Sequence, residues 1–191
     1  MDQEKIISFF DECAQNWDSE LVRNDRIIKI ILDNAEVKRD ARVLDVACGT
    51  GVLFPDYIKR GAKVTGVDIS PEMVKIARRK FPQIEVICKD AEKLDFSEKF
   101  DVVMVYNAFP HFPHPERVIE KLSTFLRKGG RLSIAHGMSR EALLKLHNER
   151  AKTVSLDLPH ETELAKILAP FFEVDIEVAD NEMYQVSGIK K

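Results

Sequence analysis

The residues best placed to do chemistry fall into two groups. The first opens at Val43-Leu-Asp-Val-Ala-Cys-Gly-Thr-Gly51, an apolar stretch with a carboxylate at Asp45, followed by a turn of small residues ending in Gly49 and Gly51. Positions without a side chain let the backbone pass close to a bound ligand. A second apolar stretch, Lys63-Val-Thr-Gly-Val-Asp68, closes on another acid. A glycine turn after one strand and a carboxylate at the tip of the next suit an adenosine, with the acid on the ribose hydroxyls. The second group is histidine: His111, His114, His136, His147 and His160 all lie in the second half of the chain. His111 and His136 are candidates for an acceptor-side general base near neutral pKa, with His147 in support, because imidazole titrates in that range. His111-x-x-His114 has the composition of a metal pair, but Pro113 and Pro115 predict a loop there, so no metal is expected.

The turn narrows the choice of adenosine ligand. A dinucleotide fingerprint runs Gly-x-Gly-x-x-Gly, and Phe54 stands where its last glycine belongs. Asp45 would also set a negative charge near a pyrophosphate. It suits a cation better, such as the amino group or sulfonium of S-adenosylmethionine. Here the chain resembles the class I S-adenosylmethionine-dependent methyltransferases, whose first motif reads Asp-x-Gly-x-Gly-x-Gly. Ala47 replaces the first glycine, and alanine fits the turn if its backbone stays at negative φ. The similarity continues through Asp68-Ile-Ser-Pro-Glu-Met, through Asp90-Ala91, through Phe100 to Asn107, and through Pro115 to His136.

The resemblance implies a cofactor site made of Trp17, Asp45, Ala47, Gly49, Gly51, Asp68, Ile69, Met73, Asp90, Ala91 and Asn107. In it Asp68 binds the ribose, Ile69 lies against adenine, and Asp90 with the Ala91 amide holds the adenine edge. Asn16-Trp17-Asp18 is similar to an entry segment that touches the methionine end. Phe9, Phe10, Phe109 and Phe112 fall where the family has its lid and acceptor rim. The activity implied is in-line methyl transfer to an oxygen, nitrogen or sulfur of a small molecule, for which the cofactor supplies the electrophile. The alternative is a noncatalytic S-adenosylmethionine-binding regulator or partner subunit. Asn107-Ala-Phe-Pro110 lacks the middle proline and terminal aromatic of Asn-Pro-Pro-Tyr, which sets aside methylation of amide or adenine nitrogen.

The elements that must position these residues alternate. Apolar runs at 42–47, 63–68, 84–89, 100–106 and 130–136 read as buried strands. Ser70 caps the helix that starts at Pro71, and Glu72 favours its positive end. Val118, Ile119, Leu122, Phe125 and Leu126 form the stripe of a helix that Gly129-Gly130 should end. Val174, Ile176 and Val178 alternate with acids, and Asp180-Asn-Glu182 turns the chain into Met183 to Ile189, which predicts an antiparallel hairpin. The expected fold is α/β: a doubly wound, mostly parallel seven-stranded sheet with an antiparallel C-terminal hairpin and helices on both faces. Residues 1–191 read as one domain, with an N-terminal helical lid over 1–36. An extra lid helix spans 139–151, capped by Ser139, with His147 on the face of Leu143, Leu144 and Ala151.

Composition excludes several classes. The net charge is −3, and no basic cluster interleaved with aromatics offers a nucleic-acid footprint. Cys13, Cys48 and Cys88 are spaced for neither zinc nor disulfides. No apolar run is long enough for a membrane span. The expected protein is cytoplasmic, with a small-molecule methyl acceptor as its partner and an oligomeric state the sequence leaves open.

Overall fold

Val43, Leu44 and Val46 are wholly buried, on both faces of their strand, because β1 (Arg42–Val46) runs through the middle of the sheet. The computed structural model describes residues 2–191; Met1, the first residue of the expected lid, lies outside them. Three helices precede β1: α1 (Gln3–Cys13), α2 (Trp17–Glu20) and α3 (Asp25–Asn34). Helices and strands then alternate as α4 (Phe54–Arg60), β2 (Lys63–Asp68), α5 (Pro71–Lys80), β3 (Glu85–Cys88) and β4 (Phe100–Tyr106). The chain continues through α6 (Pro115–Phe125), β5 (Leu126–His136), α7 (Arg140–Arg150), α8 (Glu161–Leu168), β6 (Phe172–Ala179) and β7 (Tyr184–Lys190). The seven strands lie in the order β3-β2-β1-β4-β5-β7-β6. Only β7 is antiparallel to its neighbours, β5 and β6. One face buries Ile28, Ile31, Phe54 and Val74 from α3, α4 and α5; the other buries Ile119, Leu122, Leu164 and Leu168 from α6 and α8.

Local chemistry sets most boundaries. The Ser70 hydroxyl accepts from the Met73 amide at 3.1 Å, with Pro71 at the first helical position of α5. Ser139 caps α7 in the same way through Ala142, and Met138 packs in the same cluster as Leu143. Asp180 Oδ1 accepts from the amides of Glu182 and Met183, which reverses the chain between β6 and β7.

Three features depart from the sequence reading. Helix α6 stops at Phe125, and Gly129-Gly130 lie inside β5 rather than at the helix end. The β4–β5 register shifts there, Gly129 has φ 75°, and a Cβ on Gly130 would come within 3.0 Å of the carbonyls of Arg127 and Asp101. The glycines therefore serve a bulge. The four-residue helix α2 is too short to leave a periodic signal. Ala47 has φ 57° rather than a negative value, a left-handed conformation that costs an L-residue about 1 kcal/mol. The next residue is held in place by the Cys48 amide on the Val67 carbonyl at 3.0 Å.

Phe54 explains the glycines around it. A Cβ on Gly51 or Gly66 would lie 2.6 Å from the Phe54 ring, which also meets Phe81 edge-on at 5.3 Å. The ring fills the space between turn and strand that a dinucleotide fingerprint keeps for close helix packing.

Candidate active site

A cavity of about 400 Å³ runs along the C-terminal edge of the central strands beneath α1 and α2. Doubly wound sheets place their ligands at this edge. Asp68 lines it at the tip of β2, 7% exposed, with Oδ2 accepting from the Gly49 amide at 2.7 Å and Oδ1 from the Ser70 amide at 2.9 Å. Those bonds use two of roughly four lone-pair sites and leave each oxygen one more donor to take. Burial raises the Asp68 pKa, and the amides of Ser70, Gly49 and Ile69 pull part of that rise back. Gly49 has φ 55°, a left-handed conformation that favours glycine, and Trp17 Nε1 lies across the turn from it.

Beyond β3, Asp90 lines the same cavity. Its Oδ1 accepts from the Glu92 amide at 2.9 Å and its Oδ2 from Gln3 Nε2 at 2.8 Å. Ile69, Met73 and Ala91 line the wall between the two acids. Asn107, after β4, has φ 54°, which asparagine tolerates, and its Oδ1 accepts from the Gly137 amide. Trp17, Ala47 and Gly49 complete the set of expected cofactor residues that reach the cavity.

Polar contacts tie the N-terminal helices down. Asp11 accepts from the Ser70 hydroxyl and the Glu72 amide, at the start of α5. Asp18 accepts from Thr50 Oγ1 and pairs with Lys80 at 2.6 Å. Arg23 donates to the Val52 carbonyl and pairs with Asp56. Ser70, Glu72 and Thr50 among these partners belong to the cofactor motifs.

Two expected cofactor residues do not line the cavity. Asp45 is 2% exposed beneath the turn, and neither its Oδ2 nor the hydroxyl of buried Tyr57 has a hydrogen-bond partner. Burial, then Asp68, pushes the Asp45 carboxyl well above the usual range. Its Oδ2 is left without a protein donor. Gly51 likewise serves the Phe54 ring.

The histidines separate. His111 lines the cavity, its Nδ1 2.9 Å from the Val154 carbonyl and its ring 4.9 Å from Phe10 and 5.0 Å from His147. His136, expected at the ligand edge, is fully buried beside Tyr184, and neither ring nitrogen is bonded. His147 faces inward but stops behind His111, with Nδ1 buried and unpartnered. Neither lines the cavity. Burial brings His111 to about 4 and His136 to about 3, below the neutral range, and it lowers His147 as well. Among the described residues no group of three or more His, Cys, Asp or Glu side chains could hold a metal. Gln3 and Arg117 also line the cavity. Neither carries a sequence signal, being ordinary polar residues in the first turns of α1 and α6.

The sequence pattern of a methyltransferase domain matches residues 43–130. A demethylmenaquinone methyltransferase of Chlorobaculum tepidum is 34% identical over 156 residues, 73% of this chain and 63% of that protein. The chain belongs to the class I S-adenosylmethionine-dependent methyltransferases. A phosphatidylethanolamine N-methyltransferase of Cereibacter sphaeroides is 39% identical over 110 residues, 54% of each chain. The chain thus spans between about half and two thirds of these curated relatives. The PH0226 protein of Pyrococcus horikoshii OT3 superposes with a TM-score of 0.72 at 26% identity, over 87% of this chain and 89% of that one. As in that family, β7 enters the sheet between β5 and β6. Among the described residues no helix is long and apolar enough to cross a membrane.

Proposed function

We propose that this methyltransferase moves a methyl group from S-adenosylmethionine to a small-molecule nucleophile. The observation that carries the reading is the convergence of Asp68, Asp90 and the Gly49 turn on one cavity. In it Asp68 takes the ribose hydroxyls, Asp90 with the Ala91 amide takes the adenine edge, and Ile69 and Met73 supply the apolar walls. Trp17 and Asn107 border the methionine end. When bound, the sulfonium supplies an electrophilic methyl, so the protein's task is to align an acceptor and exclude water. The N-terminal helices, latched through Asp11, Asp18 and Arg23, provide the exclusion. His111 serves the acceptor side, with His147 behind it. Asp45 is left out of the ligand contacts.

The protein reads as cytoplasmic, acting on a free small molecule rather than on nucleic acid, in keeping with its net charge of −3. Radiolabelled S-adenosylmethionine incubated with the protein and a fractionated metabolite extract tests the reading. Label should pass to a low-molecular-weight product. Tight cofactor binding without transfer to any fraction would instead indicate a binding protein.

A further inference from the structure

Around His111 the cavity changes character. The acids that line it, Asp68, Asp90 and Glu92, follow β2 and β3, on one side of the glycine turn. Across the turn, after β4, the lining beside His111 is Ala108 and Phe112, with Ile6 and Phe10 of α1, and the polar groups there, Asn107, His114 and Arg117 among them, include no acid. Phe10 is the centre of an aromatic wall: its ring meets Phe9 at 5.2 Å, Trp17 at 5.8 Å and His111 at 4.9 Å, all edge-on. A flat, apolar body suits such a surface.

The His111 ring has one tautomer available. Its Nδ1 lies 2.9 Å from the Val154 carbonyl, and a carbonyl only accepts, so Nδ1 carries the hydrogen and the neutral ring keeps its lone pair on Nε2. Among the described residues Nε2 has no hydrogen-bond partner and is not sealed from solvent, on a ring that lines the cavity. Two segments hold the arrangement. Ala151 and Val154, after α7, cluster with Ile6, Phe9 and Phe10, and the Leu156 amide donates to the Pro110 carbonyl at 2.7 Å.

We propose that the space bounded by Phe10, Phe112 and His111 Nε2 is the acceptor subsite, and that it takes a neutral hydroxyl on a flat, aromatic body. This rests on the methyltransferase reading above. Whatever approaches Nε2 must donate a hydrogen, which excludes carboxylates and preformed anions. An ammonium group would find no carboxylate on this side of the turn, and a thiol is a weaker donor. Burial brings His111 to about 4, so the ring stays neutral at physiological pH. A hydroxyl becomes far more acidic as its oxygen is alkylated, so even a weak base can take the proton then. The hydroxyl oxygen forms the new bond to carbon as the carbon–sulfur bond breaks with its electron pair moving to sulfur. The hydroxyl proton passes to His111 Nε2 and from there to water.

The probes are 2-naphthol, its methyl ether and 2-naphthylmethylamine, titrated into the protein saturated with S-adenosylhomocysteine. Nitrogen-15 signals of histidine and calorimetry are the readouts. Naphthol should bind at least tenfold tighter than the ether or the amine and shift the Nε2 resonance of His111. His111→Ala should abolish the preference while S-adenosylhomocysteine affinity stays unchanged. His111→Gln, whose amide accepts a hydrogen bond but takes no proton, should keep part of the preference and lose methyl transfer to naphthol. Equal affinity for naphthol and ether, a preference that survives His111→Ala, or tighter binding of the amine would each overturn the proposal and leave the cofactor reading standing. Failure of S-adenosylhomocysteine to bind would remove both.

Discussion

Gln3 Nε2 donates to Asp90 Oδ2 at 2.8 Å, a contact across 87 residues that joins the first turn of α1 to the acid beyond β3. Both residues line the cavity, so the N-terminal segment orients the carboxylate assigned to adenine. One hydrogen bond is worth about 1 kcal/mol net, roughly a fivefold change in affinity. Gln3→Ala should therefore weaken S-adenosylhomocysteine binding several-fold by calorimetry. Asp90→Ala combined with it should add less than the sum of the single changes, because the two act through one contact. Full additivity would separate Gln3 from the cofactor site.

Asp68 should matter more. Asp68→Ala should cost at least tenfold in cofactor affinity, about 1.4 kcal/mol, by removing two charge-assisted contacts. The same change leaves the amides of Gly49 and Ser70 without their acceptor. Asp68→Asn keeps the shape and one acceptor oxygen, so it restores one of the two amide bonds. Wild-type affinity in both variants, measured by calorimetry, would refute the ribose assignment.

Asp45 offers the opposite test. A carboxyl held above its ordinary pKa stabilises the protein only while protonated, and that contribution is lost as pH rises through the folded value. Asp45→Asn should therefore raise the melting temperature at pH 8 and change little at acidic pH, with a gain of about 1 kcal/mol. Cofactor affinity should hold within roughly threefold, a change below 1 kcal/mol. A tenfold loss of affinity would return Asp45 to the ligand.

Acid should weaken the fold through buried imidazoles. His111 and His136 sit at about 4 and about 3, against 6.5 in an exposed chain. The unfolded chain then binds protons that the native state refuses, so stability falls as pH drops below 6.5. Each histidine should account for about 2 kcal/mol lost between neutrality and roughly pH 5. Urea unfolding at the two pH values measures the drop, and His136→Phe should remove about half of it. A flat profile would place both rings in contact with water.

The N-terminal helices should be the least protected part of the site. Unlike α3, which is built into the core, α1 and α2 rest on small apolar clusters around Ile6 and Ala14 and on side-chain bonds from Asp11 and Asp18, and Val22 between α2 and α3 is 91% exposed. Hydrogen exchange should show residues 3–20 slowing on addition of S-adenosylmethionine while β1 and β4 stay unchanged. Equal exchange with and without ligand would make these helices permanent scaffold.

What could be read in the residues follows a physical division. Capping by Ser70 and Ser139, the alternation in β6 and the acids closing β2 and β3 are local signals, each complete within a few residues. The burial of Asp45 and His136 is not local, because it depends on Tyr57 and Tyr184 arriving from other elements. Strand-end position alone aimed both at the ligand. Ala47 needed tertiary information too: a small residue in a tight turn is compatible with either sign of φ, and the surrounding bonds decided it. Gln3 meets its partner 87 residues away, a separation no motif spans.

The insertion of β7 between β5 and β6 bears on how the molecule is made. β5 is synthesised long before its antiparallel neighbour, and β6, next to emerge, does not pair with it. Until residues 184–190 have been translated, one side of β5 presents unpaired amides and carbonyls, an invitation to wrong partners. The glycine turn, β2 and the Asp68 tip can form earlier, on the other side of β1. A nascent chain lacking β7 would therefore hold the cofactor half of the site on an unfinished sheet, so chaperone dependence during synthesis should be decided by this one late pairing rather than by the half that carries the glycine turn.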